Sequence, residues 1–397
     1  MTKFSDLPEH IVVEILLWLP PESLFRFKCV ERLWYFLIND VIRNPKFVTK
    51  HLNNSKKKAS PFIIKCVHEF MSGASLHIYH NENNRQHLIS SLKDLAPLLP
   101  KSDDVLGVFS TDGISHCNGI ICMADYFGSR IVLCNPATRE LKRLPNPSFR
   151  NWILNCMTKV GFGYDYIDNV YKVVRFCGRH GTFKAQVYTL GLDDAWRDIE
   201  VNQLVESFNE YNLHTKEVHC KGFYYWLVCK MPKPNQRMMQ MIQSFDMHKE
   251  KFDTIPLPDI VQSRRILISC GISLTQWNES LALIFIMRKE WYEGKSIDIW
   301  VMHESFEGHR NSRSWTKQIS LDLGGIHKIT KVFLGSEELL VHAIEQGIFS
   351  YNMHTKKVTW ILKGITRRFH AFYYVRSLVS LNGICLDFNK DVVGFSR

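Results

Sequence analysis

His77 and His80, the glycines of GFGYD at 161–165, and Cys117 with Cys122 are the residues whose type and spacing bear first on chemistry in this 397-residue chain. An interval of three in an apparent strand turns the two histidines to opposite faces, which is wrong for a shared metal. GFGYD has two glycines and leads into VYKVVRF, without the Gly-rich turn followed by Lys and Ser or Thr that cradles phosphates, so it reads as a turn. The chain has neither the HExxH metalloprotease pattern nor the GxSxG nucleophile elbow. Cys117 and Cys122 are the closest of eleven cysteines and form no Cys-x-x-Cys pair; buried free thiols are expected, without zinc or disulfides. His248 and His354 recur in FDMH and YNMH, which marks equivalent turns of a repeat better than a divided active site. No catalytic residue, metal ligand or cofactor is expected.

A net charge of +11 invites a polyanion partner, but its distribution argues against specific nucleic-acid binding. Residues 355–397 hold eight basic groups against two acidic ones, while the first fifty hold seven against six, and the remaining positives are scattered. Lys56, Lys57 and Lys58 form the one lysine triplet, inside HLNNSKKKASP, which reads as a solvated linker over 51–61. The apolar run Leu281 to Met287 falls far short of the ~18 to 20 residues a bilayer span needs. The N-terminus lacks a basic region leading into an uninterrupted apolar segment, so a soluble, unsecreted chain without a membrane partner is expected.

Residues 1–50 read as a small helical domain. Ser5 and Asp6 are candidate caps, Pro8 suits a first helical turn, and Ile11, Ile15, Leu16 and Leu19 recur at intervals of three or four. Pro20 and Pro21 stop that helix and open a second pattern through Leu24, Phe27, Val30, Trp34 and Leu37. So short a segment cannot hide all of these side chains, and some must be covered by the rest of the chain or by a partner.

From residue 62 to 397 the apolar runs shorten and are broken by Gly, Asn and Asp, as expected of a mainly β domain; Asn202 to Phe208 is the exception, a turn or two of helix. A strand, a polar turn and a second strand with a large side chain recur, and aligning Leu141, Trp196, Phe252, Trp315 and Trp360 gives spacings of 55, 56, 63 and 45. These approach the period of propeller blades, in which each large residue fills a seam. Six or seven blades are expected, closed by pairing a final strand near Phe372 to Leu386 with early ones. A β-sandwich array is the structural alternative.

Phe4 to Phe47, with LPEHIVVEILLWLP, PPESLFRFKCVERLWYFLI and NPKF, resembles an F-box. HCNGIICM, LCNPATRELKRLP, GFGYDYIDNVYKVVRF, KGFYYWLV and IQSFDMHKEKFDTIPLP resemble successive signatures of the F-box-associated region of plant proteins, in an order most similar to the S-locus F-box branch. The implied fold is a small all-α F-box followed by a mainly β domain, a kelch-like β-propeller. The implied role is substrate recognition in an SCF-type ubiquitin ligase, with cullin and RING subunits reached through a Skp-type adaptor. Candidate adaptor contacts are Leu7, Pro8, Ile11, Ile15, Leu16, Pro20, Leu24, Phe27, Val30 and Trp34. The S-locus likeness implies recognition of S-ribonucleases in the pollen-tube cytoplasm, a nuclear pool remaining open. Such partners are generally basic, so a local acidic patch is expected, with Asp193, Asp194 and Asp198 as candidates. Loop candidates are Asp125 to Arg130, Phe149 to Thr158, Cys177 to Phe183, Met231 to Met238, Lys289 to Lys295 and Glu304 to Ser314. An F-box protein that tethers or protects a partner without promoting its ubiquitination, or an S-locus-like paralogue with an unrelated substrate, is the alternative.

Overall fold

Proline sets the start of the first two helices. α1 (Glu9–Leu16) follows Pro8, whose carbonyl accepts hydrogen bonds from the Ile11 and Val12 amides at 3.0 and 3.3 Å. Pro8 therefore stands at the helix boundary rather than inside the first turn. α2 (Pro21–Phe27) follows Pro20 and has Pro21 as its first helical residue, where a missing N–H costs nothing. α3 (Arg32–Val41) and α4 (Pro45–Lys57) complete the helical domain. α4 corrects the expected linker: Phe47, Val48, His51 and Leu52 share one buried face, and packing along it keeps the chain helical through Lys57.

The computed structural model describes residues 7–57, 62–67, 74–82, 85–88, 109–125, 128–148, 157–179, 182–201, 217–230, 239–259, 272–287, 296–307, 310–323, 326, 329–335, 337–343, 346–363 and 369–382. Ser5, Asp6, Lys58 and the segment Asn202 to Phe208 lie outside them.

The rest of the described chain forms six four-stranded antiparallel sheets. The first holds β1 (Phe62–Val67), β2 (Ala74–Glu82) and β3 (Arg85–Leu88). The second runs β4 (Phe109–Cys117), β5 (Ile120–Asp125), β6 (Ile131–Asn135), β7 (Glu140–Arg143), and the third β8 (Met157–Asp165), β9 (Val170–Arg179), β10 (Thr182–Thr189), β11 (Arg197–Ile199). The fourth runs β12 (Glu217–Cys220), β13 (Phe223–Lys230), β14 (Met239–Asp246), β15 (Lys251–Pro256), and the fifth β16 (Ile272–Trp277), β17 (Ser280–Met287), β18 (Ser296–Glu307), β19 (Arg310–Asp322). The sixth runs β20 (Ile329–Leu334), β21 (Glu338–Ala343), β22 (Gly347–Asn352), β23 (Val358–Lys363), and β24 (Phe369–Tyr373) returns to pair with β1, Phe62 opposite Tyr373. First strands lie against one another, β24 beside β4, then β8, β12, β16 and β20, which is the inner wall of a propeller. Closure by the last strand is as the sequence suggests, with β24 innermost in the first blade.

Local sequence fixes the turns at one end of the blades. Asn118–Gly119, Lys221–Gly222 and Asn278–Glu279 join first and second strands with positive φ at both positions, the two-residue hairpin that suits strand twist. Between third and fourth strands the side chains of Asn135, Asp246 and Asn352 accept from backbone amides two residues on, at 3.0, 2.9 and 3.1 Å. Four residues after each, Arg139, Glu250 and Lys356 take a left-handed backbone. His248 and His354 thus occupy equivalent turns, as their motifs indicate.

The aligned large residues all fall in or beside fourth strands. Trp196 donates from Nε1 to the Pro145 carbonyl at 2.7 Å, and Trp315 to the Pro256 carbonyl at 3.1 Å, so each indole ties its blade to the chain leaving the preceding one. Trp196→Phe keeps most of the apolar area and removes the bond; a loss of about 1 kcal/mol of stability is expected, read as a lower denaturation midpoint at unchanged slope. GFGYD is a correction. Gly161 and Gly163 lie inside β8, where a Cβ on Gly161 would sit 2.7 Å from Trp226 Cζ2 and 2.7 Å from Tyr224 Cδ1 of the next blade. The glycines are there for close approach of blades, not for a turn.

Candidate protein-binding surface

The helical domain buries one set of apolar residues and exposes another. Val12, Leu16, Leu24, Ile38, Val41, Val48 and Leu52 join one apolar cluster with Ile120, Leu133, Phe162 and Leu378 of the β domain. Leu16 and Leu24 are 1% and 0% exposed, so these two candidate contacts belong to the core and cannot touch a partner directly. Leu7, Ile11, Ile15, Phe27 and Val30 remain exposed, Ile15 at 40% and Val30 at 70%; Pro8 is exposed, and Pro20 and Trp34 are half-buried. Trp34 packs on Phe27 with ring centroids 6.2 Å apart, so it supports the exposed face as well as joining it.

Trp18, Leu33, Tyr35 and Phe36 are exposed large side chains that were not singled out as contacts. Trp18 follows Ile11 and Ile15 by seven and three residues, the interval that returns to one helix face, so its spacing carried the signal. The apolar stripe has a basic margin. Lys28 is half-buried with its ammonium 4.8 Å from the Phe25 ring centroid, and burial together with the nearby Arg43 guanidinium lowers its pKa. Two like charges held together over an apolar face suit a partner that brings carboxylates to it.

Two of the three acidic candidates accept hydrogen bonds within the fold. Asp193 accepts from the Thr189 amide at 2.7 Å and from Arg197 Nε at 3.2 Å, and Asp198 accepts from Gln186 Nε2 at 2.6 Å. Asp194 is exposed. Asp193 and Asp194 lie between the third and fourth strands of one blade and Asp198 within the short fourth strand, at the end that carries the tight hairpins. Asp194 and Asp198 stay exposed on either side of Arg197, so the stretch remains locally acidic although Asp193 and Asp198 also accept bonds within the fold.

Asp165, Asp168 and His248 gather close enough to hold a metal ion. Asp165 is also paired with Lys172, whose ammonium lies 3.1 Å from Asp165 Oδ2 and 3.1 Å from Glu250 Oε1 and donates to the Met247 carbonyl at 2.7 Å. Burial pushes the Asp165 carboxyl up, but bonds from the Ile167 and Asp168 amides and Lys172 outweigh it and hold the pKa below 3.8. Glu250 is also pushed up by burial and brought down further by Arg197 and Lys172. Folded values below the unfolded ones mean stabilisation that is complete above the ordinary carboxylate range and lost as pH falls through the folded values. The expected result is a melting temperature that drops below about pH 4, with a smaller drop in Asp165→Asn.

Blade direction separates two faces. First-to-second and third-to-fourth turns share one end; second-to-third loops and blade connections share the other. The helices sit at the first end, because Glu22 of α2 pairs with Arg376 and the segment carrying Arg376 lies on Asn118 and Glu140. Strand ends flanking Asp125 to Arg130, Phe149 to Thr158, Cys177 to Phe183, Met231 to Met238 and Lys289 to Lys295 are at the opposite end; Met231 to Met238, Lys289 to Lys295, residues 149–156, 126–127 and 180–181 lie outside the described residues. Glu304 to Ser314 spans the β18–β19 hairpin and belongs to the helix-bearing end, so it departs from that group.

Among the described residues no helix is long and apolar enough to cross a membrane, and Cys117, Cys122, Cys134, Cys177 and Cys220 are buried free thiols. Burial pushes the Cys117, Cys122 and Cys134 thiols up to about 12, which leaves them protonated and poorly nucleophilic.

Comparison with known proteins agrees with both halves. An F-box domain model matches residues 4–46, and a model described as an F-box associated beta propeller domain matches residues 69–381. F-box protein At1g30790 of Arabidopsis thaliana is 27% identical over 406 residues, covering 91% of each chain. F-box protein ETP2 of the same plant is 24% identical over 349 residues, covering 86% of this chain and 84% of its own. A putative F-box/kelch-repeat protein of that plant, At3g17570, is 26% identical over 330 residues, covering 80% of this chain and 77% of its own. Proteins of this family are noncatalytic ligase adaptors. The propeller match spans most of the sequence and the F-box match accounts for the helices before it, and the chain belongs to the F-box proteins with an F-box-associated β-propeller.

Proposed function

We propose that this protein is a substrate-recognition subunit of an SCF-type ubiquitin ligase. The observation that carries the reading is the exposed stripe of Leu7, Ile11, Ile15, Trp18, Phe27 and Val30 on a helical domain whose core is already filled by Leu16 and Leu24. A Skp-type adaptor covers that stripe, its carboxylates meet Lys28 and Arg43, and cullin and RING subunits follow through the adaptor. Burying apolar area gives about 25 cal/mol per Å² before ordering costs are subtracted. The chain's own residues hold and orient; proximity to a ubiquitin-charged enzyme does the rest. The loops at the end of the propeller away from the helices hold the protein substrate, so that it points away from the adaptor.

Reconstitution with adaptor, cullin and RING subunits tests this. Ubiquitin transfer to a bound protein supports it, while adaptor binding with no transfer to any bound partner favours the tethering alternative. Stylar S-ribonucleases in the pollen-tube cytoplasm are the substrates that the S-locus resemblance implies. With a net charge of +11, recognition of a basic ribonuclease rests on short-range apolar contact at the loops. Binding to a panel of S-ribonucleases that persists at raised salt is the expected result; failure with every member removes this substrate class and leaves the ligase reading intact.

A further inference from the structure

After β24 the chain does not leave the ring. Residues 374–381 run along the tight-turn end of the second blade, and Tyr374, Ser377, Leu378, Val379 and Leu381 are buried. Asn135 Nδ2 donates to the Ser377 and Val379 carbonyls at 3.1 and 2.7 Å, Ser377 Oγ donates to the Asn118 carbonyl at 2.7 Å, and Glu140 accepts from Ser380 Oγ at 2.9 Å and the Leu381 amide at 2.6 Å. Gly119 makes the approach possible: a Cβ there would lie 2.5 Å from Ser377 Oγ and 2.6 Å from the Val375 carbonyl oxygen. On its other side the segment meets the helical domain. Leu378, Val379 and Leu381 share a cluster with Leu16, Leu24 and Leu52, and Arg376 pairs with Glu22 at 3.7 Å.

We propose that residues 374–381 are a positioning strap that fixes the orientation of the F-box helices on the propeller. One short segment is bonded to the blade through its backbone and packed under the helices through its side chains. Release of the strap therefore leaves four small helices without part of the apolar floor on which they rest, and the angle between adaptor face and loop face becomes variable. For transfer to a substrate held at the far end, that angle sets where the substrate's lysines stand relative to the charged enzyme. The functional consequence rests on the ligase reading; the structural claim does not.

Hydrogen exchange of the whole chain tests it without adaptor or substrate. Gly119→Ala drives a methyl group into the strap, whereas Gly222→Ala places one at the equivalent hairpin of the fourth blade, at a similar φ of +79 against +85, with its nearest neighbour, Tyr166 Cδ2, 3.6 Å away. Gly119→Ala is expected to speed exchange at Val379, Leu381 and α2 about tenfold while β13 and β14 keep their protection, and Gly222→Ala is expected to leave α2 unchanged. Arg376→Glu, which sets a carboxylate against Glu22, is expected to loosen α2 in the same way, and Glu22→Arg with Arg376→Glu to restore it. Failure of Gly119→Ala to fold would leave the charge pair to decide. Protection of α2 that survives release of the strap, equal loosening by Gly222→Ala, or absence of charge-swap rescue overturns the proposal.

Discussion

Ile11→Asp combined with Ile15→Asp is expected to weaken binding to a Skp-type adaptor by at least about 100-fold while the melting temperature of the free protein stays within a few degrees. Both side chains stand on the open face of α1, 39% and 40% exposed, so the free protein loses little packing when they change. In the complex each change removes apolar area from the middle of the stripe and leaves a carboxylate desolvated, and the two together exceed the roughly 2.7 kcal/mol that corresponds to 100-fold. Leu16→Ala is the opposite case. Leu16 is 1% exposed in the cluster shared with the blades, so its truncation costs about 2 to 5 kcal/mol of stability and lowers adaptor binding only by lowering the folded fraction. Calorimetric titration with purified adaptor, set beside thermal melting of each variant, separates the two. Equal affinities for wild type and the double aspartate variant at equal folded fraction would remove the stripe as the adaptor site.

What the sequence disclosed and what it withheld divide along the range of the interactions. Helix starts at Pro8 and Pro20 and the recurrence of Trp196, Phe252, Trp315 and Trp360 in fourth strands depend on neighbours in the chain or on a repeat, so a single sequence carries them. Ile15 and Leu16 share one amphipathic stripe, yet one is open and the other is buried in a cluster that joins helical-domain residues to those of blades two and three. Periodicity gives the stripe and not which flank is covered, because that depends on other helices and on blade residues, some more than a hundred positions away. The same limit explains the linker: Leu52 finds its apolar partners in the core, and that packing extends α4 through segment 51–57, which composition alone marks as polar. The strap was equally hidden, since nothing local to Ser377 points to Asn118 or Asn135. The six observed blades lie within the expected six or seven.

Gly161→Ala is expected to cost about 3 kcal/mol, out of proportion to the single methyl group it adds. A methyl group in a β-strand is ordinarily neutral or favourable, since glycine weakens strands, and Gly161 has an ordinary negative φ, so the backbone supplies no penalty. The cost comes from the next blade. Trp226 and Tyr224 are both fully buried, their rings meet at 4.7 Å, and Phe176 stands edge-on to Trp226 at 4.9 Å, which leaves neither aromatic a direction in which to withdraw. To admit the new Cβ, blades three and four must move apart along a seam that also carries the Lys172 cluster, and close-packed interiors yield poorly to such displacement. Urea denaturation gives the size of the effect, and a double-mutant cycle identifies its source. Trp226→Phe removes Cζ2, one of the two atoms nearest the new methyl group, and leaves Tyr224 Cδ1 at 2.7 Å, so Gly161→Ala in that background is expected to cost less but not nothing, a favourable coupling of about 1 kcal/mol. Additive effects both here and in the matching cycle with Tyr224→Ala would mean that the glycine serves the β8 backbone itself and that the seam is not what requires it.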